Sequence, residues 1–278
     1  MHLHIFGFGY VAAAFGALLR PASFTTRGNS PKTTAHDLDQ ATHLLITAPP
    51  TVIAPTEDEA GAEAIDPCLA QYGHLIAESP KLQWIGYCST TGVYGDRQGA
   101  MVDEATAPAP TRPRSVRRLE AEQAWRAIRP DLPLDIFRLA SIYGPGRSVL
   151  DDLRAGRARR IIAPEQRFSR IHRDDAARAI AAAMLRPAAR GARILNLADD
   201  LPAPSAEVVS YAAELLGMPE PPAITLAEAL PTMTPMAQSF WAESRLVQNK
   251  ATKRALGIHL IYPTYREGLE AILAEETQ

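Results

Sequence analysis

Short apolar runs alternate with helical patterns along most of this chain. The strand-like runs cover residues 2–6, 22–26, 43–48, 84–88, 134–139 and 193–198. Their length and their apolar and β-branched content are typical of buried strands. Because helical patterns lie between several of them, the order predicts an α/β fold, with a parallel sheet covered by helices on both faces.

Capping residues mark the helices between these strands. One helix is predicted over 10–20, and another over 67–77, where Asp66 supplies the N-cap and Pro67 takes the first helical position. The latter helix carries an apolar stripe made of Cys68, Leu69, Tyr72, Leu75 and Ile76. A third helix, also with its apolar residues on one face, is predicted after Asp174.

The pattern changes beyond residue 200. Ser205 is predicted to cap a helix that Gly217 ends, since glycine is favoured just after a helix. A proline-rich connector follows over 219–235, and Thr264 and Glu267 then have the spacing of a capping box. This region is predicted to be a small, mainly helical unit rather than more sheet.

Composition and charge exclude several classes of function. The chain is 46% hydrophobic and 22% charged, with a formal net charge of −2, so no global basic field favours nucleic acid or an anionic membrane. Its two cysteines form no CxxC pair and its seven histidines are scattered, so neither a disulfide framework nor a metal site is predicted. No signal peptide and no apolar run of about 18 residues is apparent. We expect a cytoplasmic protein whose partner is a small molecule, with a homo-oligomer left open.

The first strand–helix junction carries a glycine-rich turn. Gly7, Gly9 and Ala12 form a GxGxxA pattern that follows a strand and opens a helix. Glycines there allow a tight turn and bring main-chain N–H groups close to a pyrophosphate at the helix N-terminus. The pattern predicts dinucleotide binding by Gly7, Gly9, Tyr10 and Val11, with a plain structural turn as the alternative.

The second strand ends in TTRG, which bears on the choice of cofactor. An acidic residue near this point bonds a ribose 2′-OH, whereas arginine suits a 2′-phosphate. Arg27 therefore favours NADP over NAD, with a solvated loop arginine as the alternative. Asp37 is a candidate to frame the adenine, and Thr47 and Ala48, at the end of the run 43–48, are further candidates for cofactor contact.

Three further stretches, together with the turn, carry a family resemblance. STTGVYGD (89–96), RLASIYGPGR (138–147) and SRIHRDDAARAI (169–180) resemble the extended short-chain dehydrogenase/reductase superfamily, in its NAD-dependent epimerase/dehydratase group. Segments 196–217 and 244–269 are similar to its shorter, atypical members. The resemblance runs nearly end to end, with the motifs in order.

The resemblance implies a fold and a function. It implies a Rossmann-type, doubly wound parallel sheet over 1–200 and a small, mainly helical C-terminal substrate cap over 201–278, with 145–172 partly contributing to the substrate cleft. The implied activity is that of an NAD(P)-dependent oxidoreductase or epimerase acting on a small carbonyl or sugar-like substrate.

Individual roles also follow from the resemblance. Thr90 falls where the family has the Ser or Thr that hydrogen-bonds the substrate oxygen. Asp174 falls at a helix N-cap, and His172 at a packing position rather than that of a base. The positions beside the nicotinamide fall on Ala140, Ser141 and Ile142.

The family's catalytic Tyr and Lys are both replaced. They lie four residues apart on one helical face, and the anchor LEAEQAW (119–125) puts the Tyr position on Arg114 and the Lys position on Arg118. No tyrosine or lysine occurs between Tyr94 and Tyr143, so a shift of register within that segment does not restore the pair.

Arginine changes the chemistry expected of this helix. Its pKa of about 12 or more keeps it protonated, so it is no general acid or base near neutrality. Arg118 is predicted to hold the cofactor ribose or pyrophosphate, and Arg114 an anionic substrate or a cofactor phosphate. Arg112 and Arg117 are predicted to face solvent. The alternative is that all four arginines do.

Two hypotheses of function remain open. In the first, the protein is an enzyme in which Thr90 orients the substrate, Tyr143 shapes its pocket, and Tyr94 or water replaces the missing proton donor. In the second, it binds NADP(H) or a metabolite without turnover.

Overall fold

The computed structural model describes residues 1–19, 24–25, 38–51 and 66–276. Arg27 and Asp37 lie outside these described residues. The chain divides into two compact units, and each is made of three separate segments. The first unit comprises Met1–Val93, Pro110–Leu139 and Ala176–Leu195, and the second comprises Tyr94–Ala109, Ala140–Asp175 and Asn196–Gln278. The single boundary near residue 200 that the sequence indicates stays a prediction about domains.

The strands follow the predicted apolar runs, with several short strands added. They are β1 Leu3–Phe6, β2 Phe24–Thr25, β3 His43–Ile46, β4 Trp84–Thr90, β5 Met101–Val102, β6 Pro133–Leu139, β7 Ser141–Tyr143, β8 Arg160–Ile162, β9 Arg167–Phe168, β10 Arg170–His172, β11 Gly191–Leu197, β12 Ala203–Pro204, β13 Ala223–Thr225 and β14 Leu246–Val247.

The helices also follow the predicted patterns. They are α1 Tyr10–Leu18, α2 Pro67–Glu78, α3 Pro113–Ile128, α4 Val149–Arg154, α5 Arg173–Leu185, α6 Ser205–Leu216, α7 Leu226–Ala229, α8 Pro235–Trp241, α9 Lys250–Leu256 and α10 Tyr265–Glu276, with short 3-10 turns at Thr91–Tyr94 and Leu230–Thr232.

The central sheet confirms the predicted α/β fold. The described strands form a six-stranded sheet in the order β11-β6-β4-β3-β1-β2, and the pairs from β2 through β1, β3 and β4 to β6 are all parallel. Its strands β1, β4 and β6 are almost wholly buried, as expected for a sheet covered on both faces. The glycine turn follows the carboxyl end of β1, and Thr90 is the last residue of β4, so both lie at the edge where ligands bind in such sheets.

The cap of α2 confirms a sequence prediction. The buried carboxylate of Asp66 accepts hydrogen bonds from the main-chain N–H groups of Cys68 and Leu69, at 2.9 and 3.3 Å. Its other oxygen accepts from Trp125 Nε1 at 3.1 Å. Burial raises the pKa of Asp66, and these hydrogen bonds oppose that rise. One side chain thus starts α2 and fastens it to α3.

A buried ion pair joins α3 to the sheet in the first unit. Glu122 on α3 and Arg138 on β6 are 1% and 2% exposed, and Arg138 Nη2 lies 2.8 Å from Glu122 Oε2. The hydroxyl of Ser89 on β4 donates a hydrogen bond to the same carboxylate. Both charges are therefore held away from water by the contacts between this helix and two strands.

The second unit has its own core, and one cap prediction shifts by one residue in it. The helix from Ser205 ends at Gly217 as predicted, with a left-handed φ of 62°. However, Ser205 is the first helical residue, and Pro204 is the N-cap. Thr264 and Glu267 form the predicted capping contacts, with the Thr264 N–H 3.0 Å from Glu267 Oε2.

Asp174 is wrongly predicted as a helix cap. The helix α5 already begins at Arg173, so Asp174 is its second residue. The buried residue is instead Asp175, whose two oxygens accept from the main-chain N–H groups of Ile261 and Tyr262 at 2.9 and 2.8 Å. His172 is buried, as predicted for a packing residue, with its ring 4.1 Å from the ring of Tyr262. Burial lowers the pKa of His172 to about 4.

Within the described ranges, no helix has both the length and the apolar character needed to cross a membrane.

Candidate functional site

The turn between β1 and α1 lies very close to the segment that follows β3. Gly7 has a φ of +83°, a left-handed conformation that glycine adopts readily. A Cβ on Gly7 would lie 2.6 Å from the main-chain nitrogen of Ala48 and 3.0 Å from Thr47 Oγ1. Both the conformation and the space at this position therefore require glycine.

The N-terminus of α1 is open at Gly9. This residue is the helix N-cap, with φ −91° and ψ −164°, and no described side chain caps the helix. Apart from the residues next to it in the chain, a Cβ on Gly9 would have no atom of the described chain within 4 Å. In the first turn Tyr10 is half-buried and Val11 is buried. Because main-chain N–H groups and the helix dipole favour an anion here, the space beside Gly9 suits a phosphate group.

Thr47 and Ala48 fasten this turn from the neighbouring strand. Their main-chain N–H groups both donate to the carbonyl oxygen of Phe6, at 2.8 and 3.1 Å. Thr47 Oγ1 donates to the carbonyl oxygens of Phe6, at 3.2 Å, and of Gly7. These contacts give both residues a structural role, and their contact with a cofactor stays a prediction.

Thr90 is the last residue of β4 and is half-buried. Its hydroxyl oxygen accepts a hydrogen bond from the main-chain N–H of Gly92 at 3.1 Å. Because this bond uses the oxygen as an acceptor, the hydroxyl hydrogen of Thr90 remains able to donate to a substrate oxygen. The predicted role of Thr90 requires that donor.

The two arginines at the positions of the family dyad have different surroundings. Arg114 is exposed, whereas Arg118 is 9% exposed. Arg118 Nη1 donates to the hydroxyl of Tyr87 at 3.2 Å and to the carbonyl oxygen of Cys88 at 2.9 Å. Burial raises the pKa of the Tyr87 hydroxyl and that of the Cys88 thiol, the latter to about 12. The charge of Arg118 opposes both rises. The predicted ligand contacts of Arg114 and Arg118 stay predictions.

The other two arginines at the start of α3 are in contact with solvent. Arg112, the N-cap residue of α3, is exposed, and Arg117 is half-buried. The run of arginines therefore divides: one member is buried against β4, and the others reach solvent to different extents.

The other candidates lie in the second unit. Tyr94 is fully buried, and its hydroxyl donates to Asn196 Oδ1 at 2.7 Å. Tyr143 is 9% exposed, and burial raises its pKa far above the ordinary value. On β7 and just before it, Ala140 is buried, Ile142 half-buried and Ser141 exposed. The assigned roles of these five residues stay predictions.

Sequence reasoning missed Ser115, which the fold places beside Thr90. A Cβ on Gly92 would lie 2.7 Å from Ser115 Oγ and 3.4 Å from Thr90 Oγ1. The only sequence signal for it was its place next to Arg114, at the start of the helix that carries the family dyad. Within the described ranges, no group of three His, Cys, Asp or Glu side chains is arranged to hold a metal ion.

One comparison with known proteins confirms the predicted family resemblance. The NAD dependent epimerase/dehydratase family matches residues 76–198, the part of the chain that carries Thr90, α3 and the segment 138–147. Over that part, the chain is similar to this family.

Two curated relatives share part of the sequence. Protein YeeZ of Escherichia coli is 35% identical over 196 residues, which are 67% of this chain and 64% of YeeZ. The chain thus spans less than two thirds of that relative. A 3-diazoavenalumate denitrifying reductase from a Streptomyces species is 31% identical over 147 residues, which are 50% of this chain and 47% of the reductase.

Solved structures extend the similarity to the whole chain. A conserved protein of unknown function from Silicibacter pomeroyi is 42% identical with a TM-score of 0.84, covering 100% of this chain and 99% of that one. The human epimerase family protein SDR39U1, solved with NADPH, is 17% identical with a TM-score of 0.77 over 99% of both chains. The UDP-glucuronic acid 4-epimerase of Bacillus cereus, solved with NAD, is 15% identical with a TM-score of 0.72 over 100% of both chains. The last two similarities show the fold alone.

Proposed function

We propose that this protein is an NAD(P)-dependent oxidoreductase or epimerase that acts on a small carbonyl or sugar-like substrate. The observation that carries the proposal is the glycine turn. Gly7 is confined by Ala48, and Gly9 leaves open space at an uncapped helix start. The family similarity supports a nicotinamide nucleotide as the ligand of this turn.

The residues of the first unit have distinct parts in the proposed reaction. The amides at the start of α1 bind the diphosphate of the nucleotide. When bound, the nicotinamide supplies or accepts a hydride. Thr90 donates its hydroxyl hydrogen to the reacting oxygen of the substrate, while the Gly92 N–H fixes the orientation of that hydroxyl. Arg118 holds the end of β4 through Tyr87 and Cys88 and moves no proton.

Thr90→Val tests the enzymatic proposal. With NADPH and a panel of small aldehydes, ketones and sugars, we expect the unaltered protein to transfer hydride and the variant to lose about a hundredfold in kcat, as expected for a lost donor to a developing oxyanion. Nucleotide affinity should remain, because Thr90 is not part of the glycine turn. Tight nucleotide binding without turnover across the whole panel would contradict the enzymatic proposal.

A second candidate function is binding without turnover. It is favoured by the exposed Arg114 and the buried Arg118, because neither provides an acid or base where the family has its dyad. This candidate predicts nucleotide affinity without any exchange of deuterium between nicotinamide C4 and a substrate. Detection of that exchange would exclude it.

NADP is the proposed cofactor, on the ground of Arg27 in the sequence. We expect the unaltered protein to bind NADPH more tightly than NADH in a fluorescence titration, and Arg27→Asp to remove or reverse that preference. The matched control is Arg112→Asp, which makes the same change of charge at an exposed position of α3. Equal affinity of the unaltered protein for the two nucleotides would contradict the assignment.

The remaining assignments are proposals of the same kind. Residues 201–278 are proposed to form most of a substrate cap, which their mainly helical content supports. A cytoplasmic location is proposed from the composition, and the substrate is proposed as the only partner that the activity needs.

A further inference from the structure

A buried hydroxyl stands in the first turn of α3, next to the exposed Arg114. Ser115 is the third residue of this helix and is 9% exposed. Its main-chain N–H donates to the carbonyl oxygen of Arg112 at 2.9 Å. Its hydroxyl makes no hydrogen bond to any residue in the described part of the chain, although the side chain is directed inward. Ser115 Oγ is not one of the fully enclosed polar atoms of the described chain that lack a partner, so this hydroxyl remains accessible to a ligand.

The hydroxyls of Ser115 and Thr90 both lie against Gly92. A Cβ on Gly92 would be 2.7 Å from Ser115 Oγ and 3.4 Å from Thr90 Oγ1. Glycine at position 92 therefore allows Ser115 Oγ to come this near to the end of β4. The Gly92 N–H meanwhile holds Thr90 Oγ1 at 3.1 Å. Two hydroxyl groups on separate elements, the end of β4 and the start of α3, are thus brought close to each other.

The chemistry of the two hydroxyls is complementary to a carbonyl oxygen. Thr90 Oγ1 already accepts from an N–H, so its hydrogen is directed elsewhere, and Ser115 Oγ is uncommitted. An oxygen with two lone pairs can accept from both donors at once. Donors fixed in a partly buried site stabilise the charge that develops on such an oxygen during hydride transfer.

We propose that Ser115 is a second hydrogen-bond donor to the reacting oxygen of the substrate, paired with Thr90 in place of the missing tyrosine. The proposal deepens the enzymatic function proposed above and rests on it. The substrate class is an aldehyde or ketone whose oxygen fits between the two hydroxyls. Ser115 binds and polarises that oxygen, and the proton that the product alcohol gains comes from water.

Hydride transfer to 4-nitrobenzaldehyde, an activated aldehyde, tests Ser115 directly. With NADPH as the reductant, we expect Ser115→Ala to lower kcat by about a hundredfold with a smaller change in KM, since the interaction strengthens in the transition state. Ser115→Thr, which keeps a hydroxyl, should restore most of the rate. Melting temperature and NADPH affinity should match those of the unaltered protein in both variants.

A second variant displaces the Ser115 hydroxyl without removing it. Gly92→Ala leaves both hydroxyls in the chain but puts a methyl group 2.7 Å from Ser115 Oγ. We expect it to slow reduction of the same aldehyde about as much as Ser115→Ala does. A merely structural role for Ser115 would lower stability in Ser115→Ala without a selective loss of kcat.

The outcomes distinguish this proposal from the function on which it rests. If Ser115→Ala reduces the aldehyde as fast as the unaltered protein, Ser115 is no donor and only this proposal fails. If the unaltered protein binds NADPH but does not reduce the aldehyde, the hydroxyl pair does not polarise a carbonyl, and this proposal is overturned while nucleotide binding stands. If neither nucleotide binds, the proposed function itself is wrong.

Discussion

Arg138→Met is expected to lower the free energy of unfolding by about 3–5 kcal/mol, because it leaves the Glu122 carboxylate buried and without its countercharge. Both side chains are almost wholly buried, and their nearest charged atoms are 2.8 Å apart. Methionine fills a similar volume without the charge, so the loss reports the ion pair rather than a cavity. Chemical denaturation of the unaltered and altered proteins measures the difference.

The matched control removes both charges. Arg138→Met combined with Glu122→Gln keeps an oxygen to accept from the Ser89 hydroxyl but leaves no buried charge. This double variant should recover most of the lost stability, since replacing a buried pair by neutral residues is often close to neutral. A double variant as unstable as Arg138→Met alone would mean that packing, not charge, accounts for the loss.

Gly9→Ala should weaken nucleotide binding by about tenfold or more, equivalent to at least 1.4 kcal/mol, with little change in stability. The backbone at Gly9 suits alanine, and the added methyl group meets no described atom within 4 Å other than those of its chain neighbours. It would, however, occupy the space that a diphosphate needs. Calorimetric titration with NADPH measures the binding, and thermal denaturation measures the stability.

Gly7→Ala provides the contrasting variant two residues away. Here the added methyl group would lie 2.6 Å from the main-chain nitrogen of Ala48, in a backbone with φ +83°. Strain and overpacking of this kind cost about 1–3 kcal/mol, so Gly7→Ala should lose both stability and binding. Unchanged NADPH affinity in Gly9→Ala would show that the nucleotide does not approach this turn.

Local chemistry explains which parts of the fold the sequence predicts well. Asp66 before Pro67 and Gly217 after α6 act through their own neighbours in the chain, and both are confirmed as helix ends. Alternating strands and helices likewise predict the parallel sheet. These features depend on contacts over a few residues, which the order of residues displays directly.

Predictions that depend on distant partners are less secure. The choice between Asp174 and Asp175 is decided by the N–H groups of Ile261 and Tyr262, which lie more than 80 residues further along the chain. A capping rule alone does not distinguish two adjacent aspartates. The sequence therefore indicates a structural acid at this point but assigns it to the wrong neighbour.

The candidate site shows the same division. The glycine turn is visible in the sequence because its requirements are local. Ser115 is not visible in this way, because it comes close to Thr90 only in the folded chain. A segment of 24 residues separates this helix start from the strand end, and part of that segment belongs to the other unit. The burial of Glu122 with Arg138 was equally hidden, since both are residue types that usually face water.

Because each compact unit is assembled from three stretches of chain, no single cleavage point separates one from the other. A ribosome must pass residue 195 before the first unit has all its parts, and by then it has already made two stretches of the second. Expression of either unit alone would therefore need its stretches rejoined by new linkers, and a fragment ended near residue 140 would lack parts of both.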